Sequence, residues 1–249
     1  VVTRQNGIVE DQVAEILSDR DSSTDSPVIG ALVGWGATMH VPGTYEMTSS
    51  GETTIGELNG DITERVKALK TILDAVTPTV ITTNIHGALW SKLAINCVVT
   101  TLGAVSGQLL GRMLGRRRIR RLALAIVSEV IDVAGARGVT LEPVAGTLDL
   151  QRLYVPPKKR LRRFRPNSLI KHAIMLGVGL KFRRLKSSML QSLERGREPE
   201  IGFMNGYVVA RGEEVGVPTP INSALLKMVN AISAGERPIT PENLREISL

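Results

Sequence analysis

The chain has 249 residues, which predicts one or two domains, and its 43% hydrophobic and 22% charged content is ordinary for a globular protein. Its net charge of +7 conceals a split: residues 1–85 carry 5 Lys/Arg against 12 Asp/Glu, and residues 86–249 carry 26 against 12, which points to two structural units. A single cysteine excludes an internal disulfide. No uninterrupted apolar run reaches the roughly 18–20 residues of a membrane span, and no apolar leader follows Val1. Together these predict a cytoplasmic location with no membrane partner.

Val1–Thr3 reads as the end of a strand and Gln5-Asn6-Gly7 as a turn. Apolar residues at 13, 16 and 17 predict a helix over 11–18. Val28–Val33 is a buried-strand candidate. Thr44–Met47 and Thr53–Ile55, joined through Ser49-Ser50-Gly51, read as a hairpin. Helical spacing returns over 62–75, and Val80–Thr83 is a short strand. Beyond residue 85 strand signals vanish. Helices are predicted over 88–105, 119–136, 169–185, 201–215, 223–232 and 241–247, with Gly138 ending the second of them. The fold class is therefore α/β followed by all-α, with domains at 1–85 and 86–249.

The helix over 88–105 carries the chemistry. Lys92 and Asn96 stand four residues apart in the apolar run Trp90–Thr100, so they share one face, with Thr100 a turn further on. Burying an ammonium is costly unless it is paired or has a task. By spacing alone, Lys92 is either such a functional lysine or a structural one that snorkels to water. Cys97 has no metal-ligand spacing and reads as a small core residue. His40, His86 and His172 are too scattered for a metal site, so no metal is expected.

The run WSKLAINCVVTTLGAVSG, from Trp90 to Gly107, resembles the first helix of the C-terminal domain of ketopantoate reductases (2-dehydropantoate 2-reductases). Further blocks agree in order: Ser187-Ser-Met-Leu-Gln191, Gly196-Arg197, Pro199-Glu-Ile201, Asn205-Gly-Tyr207 and Gly216-Val-Pro-Thr-Pro220, with Gln5-Asn6-Gly7 matching the family's QNG turn. The resemblance covers nearly all of the chain. It implies part of a Rossmann-type nucleotide-binding domain, followed by a helical domain like that of 6-phosphogluconate dehydrogenase. It also implies NADP-dependent reduction of ketopantoate, or a related 2-keto acid, to the 2-hydroxy acid, as in pantothenate and coenzyme A biosynthesis.

No strand, G-x-G-x-x-G and helix sequence stands near the start. The family places its QNG turn well inside the nucleotide-binding domain, so roughly the first 90 residues of a full member are expected to precede Val1 (the glycine-turn βαβ unit alone needs about 30). A non-catalytic remnant of such a reductase, or a related 2-hydroxy acid dehydrogenase, are the alternatives. The partners expected are a small 2-keto acid and no nucleic acid, with a homodimer left open.

The resemblance implies roles for particular residues. Lys92 is the general acid that protonates the developing alkoxide, a task suited to a lysine whose charged form is disfavoured by burial. Asn96 hydrogen-bonds the substrate, and Ser188 contacts its carboxylate. Glu200 is the active-site glutamate, which the first turn of a helix would keep ionised. Asn6 lies at the nicotinamide and the reacting ketone. Thr100, taken with Asn96 and Ser188 as substrate-binding, replaces the second asparagine of the family's N-C-V-x-N run, Thr101 the proline after it, and Leu110 another substrate asparagine of some members; Ser192 and Gly202 replace aspartates. These departures imply an altered or broader 2-keto acid. The run Lys158–Arg165 holds six basic residues in eight and reads as a solvated surface loop.

Overall fold

A computed structural model of the chain describes residues 1–18, 26–143, 149–157 and 166–248. The basic run 158–165 lies outside the described residues. The chain is α/β followed by all-α, and it divides into two compact units: Val1–Lys92 with Leu141–Leu148, and Leu93–Thr140 with Asp149–Leu249.

In the first unit a four-stranded sheet runs in the order β1 (Val2–Thr3), β2 (Ile29–Val33), β5 (Thr53–Glu57), β6 (Thr79–Ile81). β1 and β2 are parallel, β2 and β5 antiparallel, β5 and β6 parallel. Helix α2 (Glu64–Leu73) packs on the sheet through Val66, Leu69 and Leu73, closing a core with Ile29, Ala31 and Ile55. The Thr63 hydroxyl caps α2 by accepting from the Val66 N–H and itself donates to Glu57. Arg65 grips the same Glu57 through Nε and Nη2, at 2.7 and 2.5 Å, which holds that carboxyl below the usual range and pins the helix start to β5.

The hairpin differs from the sequence expectation. Its strands are β3 (Gly36–Val41) and β4 (Thr44–Ser49), joined at Pro42-Gly43, with Gly43 at φ +85. β5 pairs with β2 instead. Ser49-Ser50-Gly51 carries the chain back to the sheet, where Gly51 meets Gly34 so closely that a Cβ would lie 2.2 Å from the Gly34 carbonyl oxygen. The positive φ belongs to Gly43, which is why the tight turn forms there.

Helix α1 (Glu10–Ser18) starts on a fully buried glutamate. Glu10 accepts from the Thr3 hydroxyl and from the Val9 N–H, both at 2.9 Å. Burial outweighs these bonds and raises its pKa above the ordinary 4.5. A raised carboxyl binds its proton more tightly folded than unfolded, so its contribution is largest below the unfolded value and is lost as pH rises through the folded one. Urea unfolding at a series of pH values should therefore show stability falling from about 4.5 upward, and Glu10→Gln should remove that slope. An unchanged slope in the variant would assign it elsewhere.

Helix α3 (Ile85–Ser106) starts in the first unit and continues into the second. It is long and apolar enough to cross a bilayer by length and composition, which the sequence reading did not expect because Lys92 interrupts its run; 78% of that stretch is buried inside the structure, as in a core helix. The second unit adds α4 (Leu110–Leu114), α5 (Arg117–Ala136), α6 (Pro166–Lys181), α7 (Ser188–Glu194), α8 (Asn205–Glu214), α9 (Pro220–Ser233) and α10 (Asn243–Glu246). Short 3₁₀ turns occupy Leu150–Leu153 and Glu200–Phe203.

A buried polar chain ties four of these helices together. The Thr101 hydroxyl on α3 donates to the Asn205 Oδ1 on α8 at 2.6 Å, and Asn205 Nδ2 donates to the Asn222 Oδ1 on α9 at 2.8 Å. Asn222 Nδ2 donates to Glu129 on α5 at 2.7 Å. Glu129 also accepts the backbone N–H groups of Ile221 and Asn222, both at 3.0 Å, and so caps the N-terminus of α9 from a neighbouring helix.

Candidate functional site

Lys92 and Asn96 fall in the middle of an unbroken stretch of α3, one turn apart, and both are half-buried. They share a helix face among buried neighbours: Leu93, Ala94, Cys97 and Val98 are each under 6% exposed. Lys92 is therefore not a helix-start lysine, the position a snorkelling structural role would favour.

Thr100, the next residue along this face, organises what surrounds it. Its hydroxyl donates to the Asn96 carbonyl at 2.7 Å and touches Met204 Sδ at 3.2 Å. Its own carbonyl accepts from the Ser187 hydroxyl at 2.6 Å. Ser187 also caps α7 by accepting from the Leu190 N–H, and it sits where a Cβ on Gly103 would come within 2.4 Å. A side chain at 103 would push α7 away, so the glycine lets α7 approach α3. Thr100 is thus 7% exposed with its proton committed inside the protein.

Two elements are thereby brought against α3. One is the start of α7, where Ser187 is buried as the cap and Ser188, the first helical residue, is exposed. The other is the 3₁₀ turn that begins with the exposed Glu200 and closes at Met204. The expected helix over 201–215 is split there: Met204, at φ −112 and ψ −97, separates the turn from α8. Glu200 therefore stands on a four-residue turn and not on the first turn of a long helix, so a helix dipole is not what supports its charge.

Asn6 belongs to the first unit. It is half-buried in the bend that follows β1, with Gly7 at φ +92. That bend leads into α1, whose Asp11 lies 3.9 Å from His86 in the first turn of α3. Cys97 is fully buried, and burial pushes its thiol far above the usual range, with the nearby Glu129 charge adding to the effect. It is a packing residue. Leu110, 2% exposed, is likewise core. Among the described residues no group of three or more His, Cys, Asp or Glu side chains could hold a metal ion.

Residues 84–233 match the family described as "Ketopantoate reductase PanE/ApbA C terminal", which is more than half of the chain and contains Lys92, Asn96, Ser188 and Glu200. The chain belongs to the ketopantoate reductase family. It is similar to the 2-dehydropantoate 2-reductase of Vibrio cholerae, 27% identical over 85% of this chain and 63% of that protein. It is also similar to that of Archaeoglobus fulgidus, 22% identical over 84% of this chain and 62% of that one. A solved PanE/ApbA family ketopantoate reductase from Ralstonia eutropha JMP134 superposes with a TM-score of 0.70 at 26% identity, covering 95% of this chain and 67% of that structure. The chain thus spans somewhat under two thirds of these two curated ketopantoate reductases.

Sequence reasoning missed the packing around these candidate residues: Ser187 and Met204 against Thr100, and Asn205 and Glu129 in the buried chain that starts at Thr101. A glutamate inside the apolar run of α5, Ala125–Val130, was the available signal.

Proposed function

We propose that this chain supplies the proton-donating and substrate-holding residues of a nicotinamide-dependent reductase that converts ketopantoate, or a related 2-keto acid, to its 2-hydroxy acid, with NADP as the cofactor. The observation that carries the reading is the Lys92–Asn96 pair, half-buried on one face of α3 within the family-matched segment. The names of the relatives support the same reaction.

The nicotinamide end of a cofactor fits what is present. In open α/β sheets ligands collect beyond the carboxyl ends of parallel strands, and Asn6 stands in the turn just past the end of β1, which is parallel to β2. A bound nicotinamide supplies the hydride. The chain's own residues do the rest. Lys92 Nζ delivers a proton to the keto oxygen as its negative charge develops. Asn96 donates through its side-chain amide to a substrate oxygen without adding charge. Ser188 donates to the substrate carboxylate, and Glu200 accepts from a substrate hydroxyl. Thr100, one turn beyond Asn96, is a further substrate-binding candidate; its hydroxyl donates to the Asn96 carbonyl, so it would meet a substrate as an acceptor.

These roles separate in kinetics. Glu200→Ala removes one charge-assisted hydrogen bond formed equally in ground and transition states, so it should raise KM for ketopantoate about 10–100-fold and leave kcat within a few-fold. Steady-state assays of NADPH oxidation measure both. No ketopantoate-dependent oxidation by the protein joined to a complete nucleotide-binding domain, glycine turn included, would reject the reaction. A large fall in kcat with KM unchanged would reject the role given to Glu200.

A further inference from the structure

Helix α6 is apolar on nearly every side, which is the pattern of a helix buried all round. Its inner face is buried: His172 and Met175 are 9% and 5% exposed, and a Cβ on Gly179 would lie 2.8 Å from Leu114 Cβ on α4. Its outer face is not. Leu169, Ile170, Leu176 and Leu180 are 58%, 66%, 39% and 66% exposed, and Ala173 and Gly177 between them are exposed too. Positions 169, 173, 176, 177 and 180 form one continuous stripe. Phe182, 45% exposed, extends it past the helix end.

The sequence around α6 carries charge of one sign. Between Asp149 and Glu194 there is no acidic residue, and there are 12 Lys/Arg. Six of them, in the run 158–165, precede α6 in sequence. Lys181 ends the helix and Arg183 and Arg184 follow it; all three are exposed, and neither arginine forms an ion pair among the described residues. Lys181 Nζ lies 5.3 Å above the Phe182 ring. On the inner side, His172 is pushed below its ordinary pKa first by burial and then by Arg120, Arg117 and Arg121 of α5.

We propose that the outer face of α6, with the cations beyond its C-terminal end, docks on an anionic lipid bilayer surface, the leucines entering the headgroup–acyl boundary and the arginines meeting the phosphates. This departs from the sequence-based expectation of no membrane partner. Charge selects the occupant. A two-fold interface between copies through this face would bring together two segments of one sign, since residues 150–193 hold 12 Lys/Arg and no acidic residue. A nucleic acid would use the cations and leave the leucine stripe in water. An anionic bilayer uses both features. The inference is independent of the reaction proposed above.

Co-sedimentation with vesicles tests it. The protein should bind vesicles of phosphatidylcholine containing about a third phosphatidylserine at physiological salt, and bind phosphatidylcholine alone at least about tenfold more weakly. Leu176→Asp with Leu180→Asp, and separately Arg183→Glu with Arg184→Glu, should each weaken binding about tenfold or more. All four side chains are exposed, so thermal melting followed by circular dichroism should stay unchanged. Arg183→Ala with Arg184→Ala is the milder second variant, and should fall between the wild type and the charge reversal. Absence of binding, or equal binding to both vesicles, overturns the proposal. So does duplex DNA binding indifferent to the leucine variant, which would assign the face to nucleic acid. A dimer in sedimentation that the leucine variant dissociates would assign it to a second copy.

Discussion

Lys92→Ala should lower the turnover number for ketopantoate reduction by about 10²–10⁴, the usual worth of a positioned general acid. KM should change little, because the proton is delivered only as charge develops on the oxygen. The helix should persist, since alanine is the better helix former and position 92 lies inside a 22-residue helix held by buried neighbours. Lys92→Arg sharpens the test. Arginine keeps the positive charge and reaches as far, but its guanidinium does not give up a proton near neutral pH. A lysine acting as acid predicts that the arginine variant fails almost as badly as alanine. A lysine acting only as a fixed cation predicts that arginine restores most of the rate. Near-normal turnover in Lys92→Ala would make the side chain structural and the proposed chemistry wrong.

What the sequence revealed about this site follows from how local each feature is. Lys92 and Asn96 were legible because a helix fixes the geometry of residues four apart, and nothing distant is needed to place them on one face. Helices α5 and α9 were legible for the same reason. Glu200 was legible as a residue but not in its setting: the apolar spacing after Pro199 looks like one helix, and only packing of Met204 against Thr100 reveals the break. The hairpin failed differently. All of β4, and β3 beyond Gly36, are exposed, so no buried face imposed a hydrophobic alternation strong enough to choose its partner. The serine-glycine stretch after β4 then looked as much like a turn as Pro42-Gly43 does. Ser187 was hidden beside Ser188, because which of two adjacent serines caps the helix depends on where Thr100 presents its carbonyl. The outer stripe of α6 reads in sequence as core, and only the position of α4 and α5 shows which side is covered.

Glu129 carries the other large expected effect, on stability and not on chemistry. Its carboxylate is 1% exposed and receives three N–H donors from the first turn of α9. Glu129→Ala would leave those donors without their acceptor in the interior and open a cavity, a loss of about 3–5 kcal/mol as for other broken buried charge networks. Glu129→Gln keeps the shape and one acceptor oxygen, so its cost should be about 1–2 kcal/mol. Because Asn222 and Asn205 link this carboxylate to Thr101 on α3, the damage should spread along that chain. Amide hydrogen exchange should show lost protection at the start of α9 in Glu129→Ala, with a smaller loss around Thr101. Chemical unfolding of both variants gives the magnitudes. If alanine and glutamine cost the same, the second oxygen contributes nothing. If both cost under about 1 kcal/mol, the bonds to α9 are not what holds that helix, and packing of Leu225 and Val229 would have to account for it.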